Sequence, residues 1–392
     1  MTVLKVIANK SAAALAFAAL VAIQTSVGLV YRFSQQTNGS YAFSQASALA
    51  ISEVIKFFIA AVMFHHSMRD RSDYPSPGVG TRTSRLRNLY AELRAQLSNR
   101  LLALLAGLAL SYAINNHVAF ALYQLADPGT IQLVKSGSTF ISAIFLCLAL
   151  GRHVSKLQWL AILLQASGLI STQYREDSDA TVQPLCTYSF LLLSTTITSV
   201  NSCWNDYLCK NYSASLPAQN MGLYASGAVI NIVIFCFKSA FGDEPGFFAG
   251  YNNPLALVVI LLNSCIGVAI TFVYKYADAV IKSIAGSVTT ALLVVLSAIL
   301  FGAKITVLTG TGSLIIFIST YIYMVHAPIP AATQRRDGRQ AQALVTASSD
   351  TDLKTKGPTA TQLKPRRRIK LAVCFGVCLI VVLTTLAVPG ER

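Results

Sequence analysis

Several polar side chains lie inside long apolar stretches of this sequence, where a charge is costly unless it binds something or pairs with another charge. The segment Lys275-Tyr-Ala-Asp-Ala-Val-Ile-Lys282 is the most highly charged of them. A tight turn within it would place Lys282 in the first turn of the next helix, where free amides and the helix dipole attract anions. We predict that Lys282 binds phosphate and that Lys275 belongs to the same substrate-binding site. The alternative is a cytoplasmic loop whose lysines only orient the chain.

A further lysine, Lys135, lies well inside another apolar run, near Ser136 and Ser138. A buried lysine needs an anionic partner. Because the nearest carboxylate in sequence, Asp127, stands at the end of the predicted helix, the partner is either a remote acid or a bound anion. We favour the bound anion over a side chain that extends to the membrane interface.

Two groups of amide, phenol and hydroxyl side chains complete the candidate site: Tyr112, Asn115 and Asn116, and Asn220, Tyr224 and Ser226. The first three share one helical face because they are three and four residues apart. They either line a binding site or join helices by hydrogen bonds, and the residues favour neither alternative. The second group offers hydrogen bonds to a base or a ribose.

These residues are embedded in a chain that is 54% hydrophobic and only 12% charged, against about 25% charged residues in soluble domains. Apolar runs of about twenty residues, each able to cross a hydrocarbon core of ~30 Å, indicate an all-α polytopic membrane protein. The predicted spans lie near 11–31, 41–64, 101–124, 128–150, 156–174, 183–205, 219–240, 254–274, 279–301 and 305–326, with an eleventh near 370–388.

Charge in the connecting loops sets the predicted orientation. The loop 65–100 holds seven arginines and three acids, seven minus three giving +4, so it is cytoplasmic. The remaining loops alternate between basic and acidic or neutral, which places both ends of the ten spans in the cytoplasm. On this orientation, the sequon at Asn38 is luminal and the sequon at Asn211 is cytoplasmic.

The domain organisation follows from the count of spans. Two halves of five helices, 1–174 and 183–326, would have opposite orientations and form an inverted repeat with the substrate near the midplane. The segment 327–368 is predicted to be a disordered basic cytoplasmic linker. An appended transmembrane helix would occupy 369–388.

Other classes of function find little support. The net charge of +15 is spread over segments that flank the spans, which fits membrane topology better than nucleic-acid binding. The eight cysteines and five histidines show no metal-ligand spacing, and no catalytic motif is present. The first apolar run is too long for a cleavable signal. We predict no cofactor, no metal and no enzymatic activity.

With these residues in view, the sequence resembles the nucleotide-sugar transporter family, in the branch that carries CMP-sialic acid, UDP-galactose and UDP-N-acetylglucosamine, within the drug/metabolite transporter superfamily. The resemblance covers nearly all of 11–326. It is carried by Tyr112-Ala-Ile-Asn-Asn116, Leu125-Ala-Asp-Pro-Gly-Thr130, Leu157-Gln-Trp159, Gly246-Phe-Phe248, Gly250-Tyr251, the segment 275–282 and Leu300-Phe-Gly302.

The resemblance implies a ten-helix inverted-repeat antiporter in the Golgi membrane, rather than the endoplasmic reticulum, that exchanges a cytosolic nucleotide sugar for a luminal nucleoside monophosphate. The positions that match nucleotide-contacting residues of the family are Tyr112, Asn116, Asn220, Tyr224, Ser226 and, for phosphate, Lys282. Where the family has a second lysine, this chain has Ser138, and Lys135 lies one turn earlier. Ile131 likewise replaces an expected tyrosine.

The sequence thus predicts a pyrimidine nucleotide-sugar antiporter, with UDP-galactose or UDP-N-acetylglucosamine as substrate and membrane lipid as its surroundings. One alternative is a carrier of the same fold for another phosphorylated metabolite. The other is a non-transporting scaffold that holds a glycosyltransferase or an anionic lipid through its basic tail. A homo-oligomer is compatible with each of these functions.

Overall fold

The computed structural model describes residues 2–38, 44–69, 82–125, 128–173, 185–242, 245–252, 254–302 and 305–325. Within these ranges the regular structure is helical throughout. The helices are α1 (Thr2–Asn38), α2 (Gln45–Arg69), α3 (Arg82–Gln96), α4 (Asn99–Leu125), α5 (Pro128–Ser136), α6 (Ser138–Leu150), α7 (Lys156–Gln173), α8 (Leu185–Asn211), α9 (Leu216–Phe241), α10 (Pro254–Tyr276), α11 (Ala279–Phe301) and α12 (Val307–Val325). The predicted linker 327–368 and the predicted helix 369–388 lie outside the described residues.

Among the described residues, seven helices are long and apolar enough to cross a membrane: α1, α2, α4, α9, α10, α11 and α12. The chain is therefore a polytopic helical membrane protein. Helix α8 is also long enough, but it buries a series of polar residues that includes Asn201, Asn205 and Asp206, which lowers its mean hydropathy. The arrangement of ten spans in two halves stays a prediction.

The predicted fourth span is broken in two at Gly137. Helix α5 ends at Ser136 and α6 begins at Ser138, and the Gly137 amide donates to the carbonyl of Val134 at 3.1 Å in a tight turn. The Ser199 hydroxyl of α8 donates to the Ser138 carbonyl at 3.1 Å. A side chain of the neighbouring helix thus supports the backbone where the helix is interrupted, as membrane-embedded breaks require.

The loop predicted at 65–100 contains a helix, which the sequence analysis missed. Leu89 and Leu93 of α3 pack together with Leu97 and Leu101 in one apolar core of the bundle. They face the same way because leucines at every fourth position share one helical face. Gln96 fastens α3 to the start of α9: its side-chain oxygen accepts hydrogen bonds from the Ser215 amide at 3.0 Å and the Ser215 hydroxyl at 2.7 Å.

The bundle is assembled from long antiparallel and crossing contacts. Helix α7 packs along α12, α2 along α9, and α1 against α10 and α11, whereas α4 contacts α8 and α9, and α6 contacts α8 and α11. Three apolar clusters result among the described residues. One surrounds α11 and includes Val280, Ile284 and Ala291, and the second lies between α2, α4 and α9. The third is smaller and contains Leu122, Ile131 and Leu191.

The segment 245–252 lies over the start of α2, at the end of the bundle opposite α3. The Tyr251 hydroxyl lies 2.6 Å from the Ser47 hydroxyl, and the Phe247 ring meets Phe235 edge-on at 4.9 Å. Partial burial raises the pKa of Tyr251, and the contact with Ser47 opposes that rise. Since the net direction is upward from an ordinary value near 10, the phenol stays protonated at neutral pH.

Helices α7 and α12 approach each other closely at two glycines. A Cβ atom on Gly312 would lie 2.7 Å from the Gly168 carbonyl oxygen and 2.9 Å from the Thr172 amide nitrogen. Both are backbone atoms, which cannot move aside without shifting a helix. Close backbone approach at small residues is a common way for membrane helices to pack.

We therefore expect Gly312→Ala to lower the stability of the protein by about 1–3 kcal/mol, the usual effect of overpacking. The measurement is thermal unfolding of the purified protein in detergent. Gly310→Ala on the same helix is the matched control, because its added Cβ would meet only Ile305 Cγ2 at an ordinary 3.6 Å. Equal losses of stability in the two variants would show that the α7–α12 contact is looser than described.

Candidate functional site

Lys282 lies where the sequence predicted, at the start of a helix after a tight turn. Helix α10 ends at Tyr276 and α11 begins at Ala279, and the Asp278 side chain caps α11 by accepting a hydrogen bond from the Ile281 amide at 2.9 Å. Lys282 is therefore the fourth residue of α11. Its ammonium group points into the bundle and donates to the Ser202 hydroxyl of α8 at 3.4 Å.

A second cation acts on Lys282 from α5. Lys282 is partly buried, and the positive charge of Lys135 at the end of α5 is close enough to repel it. Within the described part of the chain, Lys282 forms no ion pair with a carboxylate. The displaced lysine of the broken fourth span thus lies near the predicted phosphate lysine, and the two ammonium groups form a positive region that suits an anion.

A neighbouring carboxylate is committed to other cations. Asp206 lies one helical turn beyond Ser202 on α8 and is fully buried. Arg152 contacts it at 3.3 Å, and Lys210 pairs with it and donates to the Ala277 carbonyl in the α10–α11 turn. This cluster joins α8 to the connection between α6 and α7, through Arg152, and to the turn between α10 and α11, through Lys210. Because two cations already neutralise Asp206, this carboxylate does not serve as the partner of Lys282.

Tyr112 of α4 contacts the same part of α8 that Lys282 contacts. Its hydroxyl donates to the Asn201 carbonyl at 3.4 Å and lies 3.5 Å from the Asn205 amide nitrogen, which donates to it. The preceding residue, Ser111, donates to the Asn201 side chain at 2.6 Å. Tyr112 therefore faces the α8 segment that also carries Ser202, the partner of Lys282.

Asn115 and Asn116 have different surroundings although they are adjacent. The Asn115 amide nitrogen donates to Thr198 at 3.0 Å, and its oxygen accepts from Ser194 at 3.2 Å, so its side chain joins α4 to α8. The carbonyl of Asn116 accepts from the Gln45 side chain at 3.3 Å. The Asn116 side chain is partly exposed and makes no hydrogen bond to a described residue, which leaves its amide available to a ligand.

The group on α9 divides in the same way. Asn220 is buried and donates to Thr271 of α10 at 3.0 Å, and Ser226 donates to the Gly222 carbonyl of its own helix at 2.9 Å. Tyr224 is buried beside Thr271, and its hydroxyl has no partner of normal hydrogen-bond geometry among the described residues. Tyr224 thus offers a polar group that the bundle does not satisfy.

Sequence analysis missed an ion pair beside Tyr224. Glu53 and Lys56 of α2 approach to 2.6 Å, with 15% and 14% of their side chains exposed, and the Lys56 ammonium lies 5.4 Å from the centre of the Tyr224 ring. Two opposite charges three residues apart in the apolar run 45–69 were the signal that could have revealed it.

Two glycines make room for this pair. A Cβ atom on Gly267 of α10 would lie 2.6 Å from Lys56 Cδ, and one on Gly227 of α9 would lie 3.1 Å from the Glu53 carboxylate. The pair is therefore packed between α9 and α10 and faces the same interior as Tyr224.

Lys275 has a different environment from Lys282. It is exposed at the end of α10, and its ammonium group lies 5.1 Å from the centre of the Tyr276 ring. The structure does not bring it into the layer formed by Lys282, Ser202 and Tyr112. Its predicted contact with substrate stays a prediction. Separately, the described residues hold no group of His, Cys, Asp or Glu side chains suited to a metal.

Comparison with known proteins points to one family. Residues 9–324 match the family model described as nucleotide-sugar transporter. The chain is 29% identical over 306 residues to CMP-sialic acid transporter 2 of Arabidopsis thaliana, covering 75% of this chain and 72% of that protein. It is 27% identical over 319 residues to CMP-sialic acid transporter 1 of Oryza sativa subsp. japonica, covering 79% and 93%.

A solved crystal structure shares the fold at low sequence similarity. It superposes with a TM-score of 0.59 at 13% identity, over 81% of this chain and 98% of that one. At this identity the match concerns the fold alone.

The Glu53–Lys56 pair gives a test of the interior charges. We expect Glu53→Gln to destabilise the protein by about 3–5 kcal/mol, because it leaves the Lys56 charge buried without its partner. The double variant Glu53→Gln with Lys56→Met removes both charges and should recover most of that stability. Thermal unfolding in detergent measures both. If the double variant is as unstable as the single one, shape rather than charge holds this region together.

Proposed function

The chain belongs to the nucleotide-sugar transporter family, and from that premise we propose that it is a Golgi antiporter that exchanges a cytosolic pyrimidine nucleotide sugar for a luminal nucleoside monophosphate. The observation that carries the proposal is the position of Lys282. It lies at a helix start, near the charge of Lys135 and without a carboxylate partner among the described residues. Two cations in that setting suit the diphosphate or monophosphate of a nucleotide.

The remaining side chains divide into ligand contacts and supports. Tyr112, Asn116 and Tyr224 have groups that could hold the base and ribose. The Tyr112 hydroxyl makes only long hydrogen bonds, and the Asn116 amide and the Tyr224 hydroxyl have no partner of normal hydrogen-bond geometry among the described residues. Asn115, Asn220 and Ser226 are already hydrogen-bonded in the bundle. They would act chiefly by fixing α4 and α9, and would touch substrate only by exchanging those bonds.

The pattern of helix contacts supports an inverted repeat. In this comparison the first half contains α1, α2, α4, the α5–α6 pair and α7, and these correspond in order to α8, α9, α10, α11 and α12 of the second half. Under this correspondence, the α1–α10 contact is equivalent to the α8–α4 contact, and the α2–α10 contact is equivalent to the α9–α4 contact. The α1–α11 contact is likewise equivalent to the α8–α6 contact. The pairs α2–α9, α7–α12 and α6–α11 map onto themselves. Such symmetry suits rocking of two halves about a central site.

The sugar is the least constrained part of the proposal. The sequence favoured UDP-galactose or UDP-N-acetylglucosamine, whereas the relatives are named as CMP-sialic acid transporters. Ser138 at the lysine position of the family, and Lys135 one turn earlier, change where the second positive charge meets the phosphates. All three nucleotide sugars therefore belong in the first transport experiment.

We expect purified protein in liposomes preloaded with UMP or CMP to take up one of these radiolabelled nucleotide sugars, and empty liposomes to take up little. Lys282→Ala should lower exchange roughly tenfold to a hundredfold, the value of a lost charge-assisted contact. Lys135→Ala should lower it as well. Lys156→Ala is the matched control, because Lys156 is exposed at the start of α7 and outside the site.

Thermal unfolding of each variant in detergent separates loss of binding from loss of folding. No exchange of any nucleotide by folded protein would overturn the nucleotide-sugar antiporter. Two functions would then remain. Uptake of sugar phosphates would identify a carrier of another phosphorylated metabolite. A scaffold function for a glycosyltransferase would persist in a variant that does not transport. Uptake without a preloaded monophosphate would retain transport but reject antiport.

The orientation has its own test. We expect Asn211, which lies in the predicted cytoplasmic turn between α8 and α9, to carry no glycan when the full chain is expressed in cells. Asn211→Gln should leave the electrophoretic mobility unchanged before and after glycosidase treatment. A mobility shift that depends on Asn211 would reverse the proposed topology.

A further inference from the structure

The outward side of α3 presents a cationic surface with an aromatic ring, which we call the Arg87 face: Arg87, Tyr90, Ala91 and Arg94. These residues are three and four positions apart, so they share one side of the helix. All four are exposed, and 69% of Tyr90 is accessible. Because Ala91 has only a methyl group, the space between the two arginines is open.

The opposite side of α3 is fixed to the bundle. Leu89 and Leu93 pack in the core that includes Leu97 and Phe64, and Gln96 binds Ser215 through two hydrogen bonds. The orientation of the Arg87 face is therefore determined by packing. A helix that is held in place loses less conformational entropy on binding than a flexible loop would.

The charge of this segment is strongly positive. Residues 82–100 contain five arginines and one acid, five minus one giving +4. The acid, Glu92, accepts a hydrogen bond from the Gln96 side chain at 2.9 Å, so it is bonded on the side of α3 that faces Ser215. The two charged side chains of the Arg87 face are therefore both arginines.

The Arg87 face also lies at the edge of the membrane. Only Leu97 and Ser98 separate α3 from α4, whose apolar membrane-spanning stretch begins at Asn99. The end of α2 packs in the same core as α3, and His65 and Arg69 in that last part of α2 are exposed. A basic helix immediately next to a span is suited to anionic lipid headgroups, and exposed tyrosine is typical of the level of those headgroups.

We propose that the Arg87 face binds the headgroup of an anionic phospholipid in the adjacent leaflet, with Arg87 and Arg94 on the phosphate and Tyr90 at the interface. A lipid fits better than an acidic protein because the face is adjacent to the spanning stretch of α4 and combines arginines with a ring that prefers the interface. This binding is independent of the transported substrate.

The test is native mass spectrometry of the delipidated full-length protein titrated with phosphatidylserine or phosphatidylcholine of identical acyl chains. The wild type should retain phosphatidylserine in preference to phosphatidylcholine. The double variant Arg87→Gln with Arg94→Gln should bind phosphatidylserine roughly thirtyfold more weakly, the effect of two basic side chains at an anionic surface. Lys156→Gln, which removes an exposed charge elsewhere, should change binding by less than about twofold.

Unchanged thermal unfolding of the double variant in neutral detergent is expected, since both side chains are exposed, and shows that folding is intact. Inorganic phosphate at millimolar concentration should fail to displace the lipid; displacement by phosphate alone would identify a soluble-anion site and overturn the lipid assignment. Equal binding of the two lipids by the wild type, or equal losses in the double variant and Lys156→Gln, would also overturn it. So would cross-linking of a Tyr90→p-benzoylphenylalanine variant in cells to a protein in place of lipid.

Discussion

Burying a charge in an apolar bundle is the constraint on which the rest of this structure depends. A buried ammonium or carboxylate needs a partner, because its hydration is lost and the surrounding helices are apolar. Lys56 has Glu53, and Arg152 and Lys210 share Asp206. Among the described residues, Lys282 has the hydroxyl of Ser202 and no carboxylate, and it is repelled by Lys135. An anionic ligand at the predicted phosphate site would complete the pairing of Lys282.

Helix α8 is what allows these charges to coexist. It supplies hydroxyls and amides to α4 through Thr198, Ser194 and Asn201, supports the break in the fourth span through Ser199, and carries Asp206. A helix with so many polar groups is poorly suited to face lipid, and in this bundle it lies between α4, α6 and α10 instead. The polar residues of α8 lower its mean hydropathy below that of a typical transmembrane helix. The same residues line one side of the candidate site.

Much of this could be predicted from the sequence, and the failures have physical reasons. Lys282 was placed correctly because a short polar turn followed by an apolar run defines a helix start, and Asp278 provides the cap. The break at Gly137 was missed because a glycine between serines does not reveal that Ser199 of another helix will support the backbone there. Helix α3 was missed because its many arginines obscured the apolar face formed by Leu89 and Leu93, which is continued by Leu97 just beyond the helix. Asn115 and Asn116 looked equivalent in sequence, and only the position of α8 separates them.

The same network links the candidate site to the ends of its helices. Ser202, which contacts Lys282, is one helical turn from Asp206, and Asp206 holds Lys210, which in turn binds the backbone of the turn that begins α11. Lys282 is therefore fixed from both directions: through Ser202 on α8, and through the Ala277 carbonyl just before its own helix. In the proposed antiporter, a phosphate bound at Lys282 would change the charge balance of a group that is connected to α8 at two points. Because Arg152 reaches Asp206 from the connection between α6 and α7, that change would be felt at the contact between the two proposed halves, where alternating access would require movement.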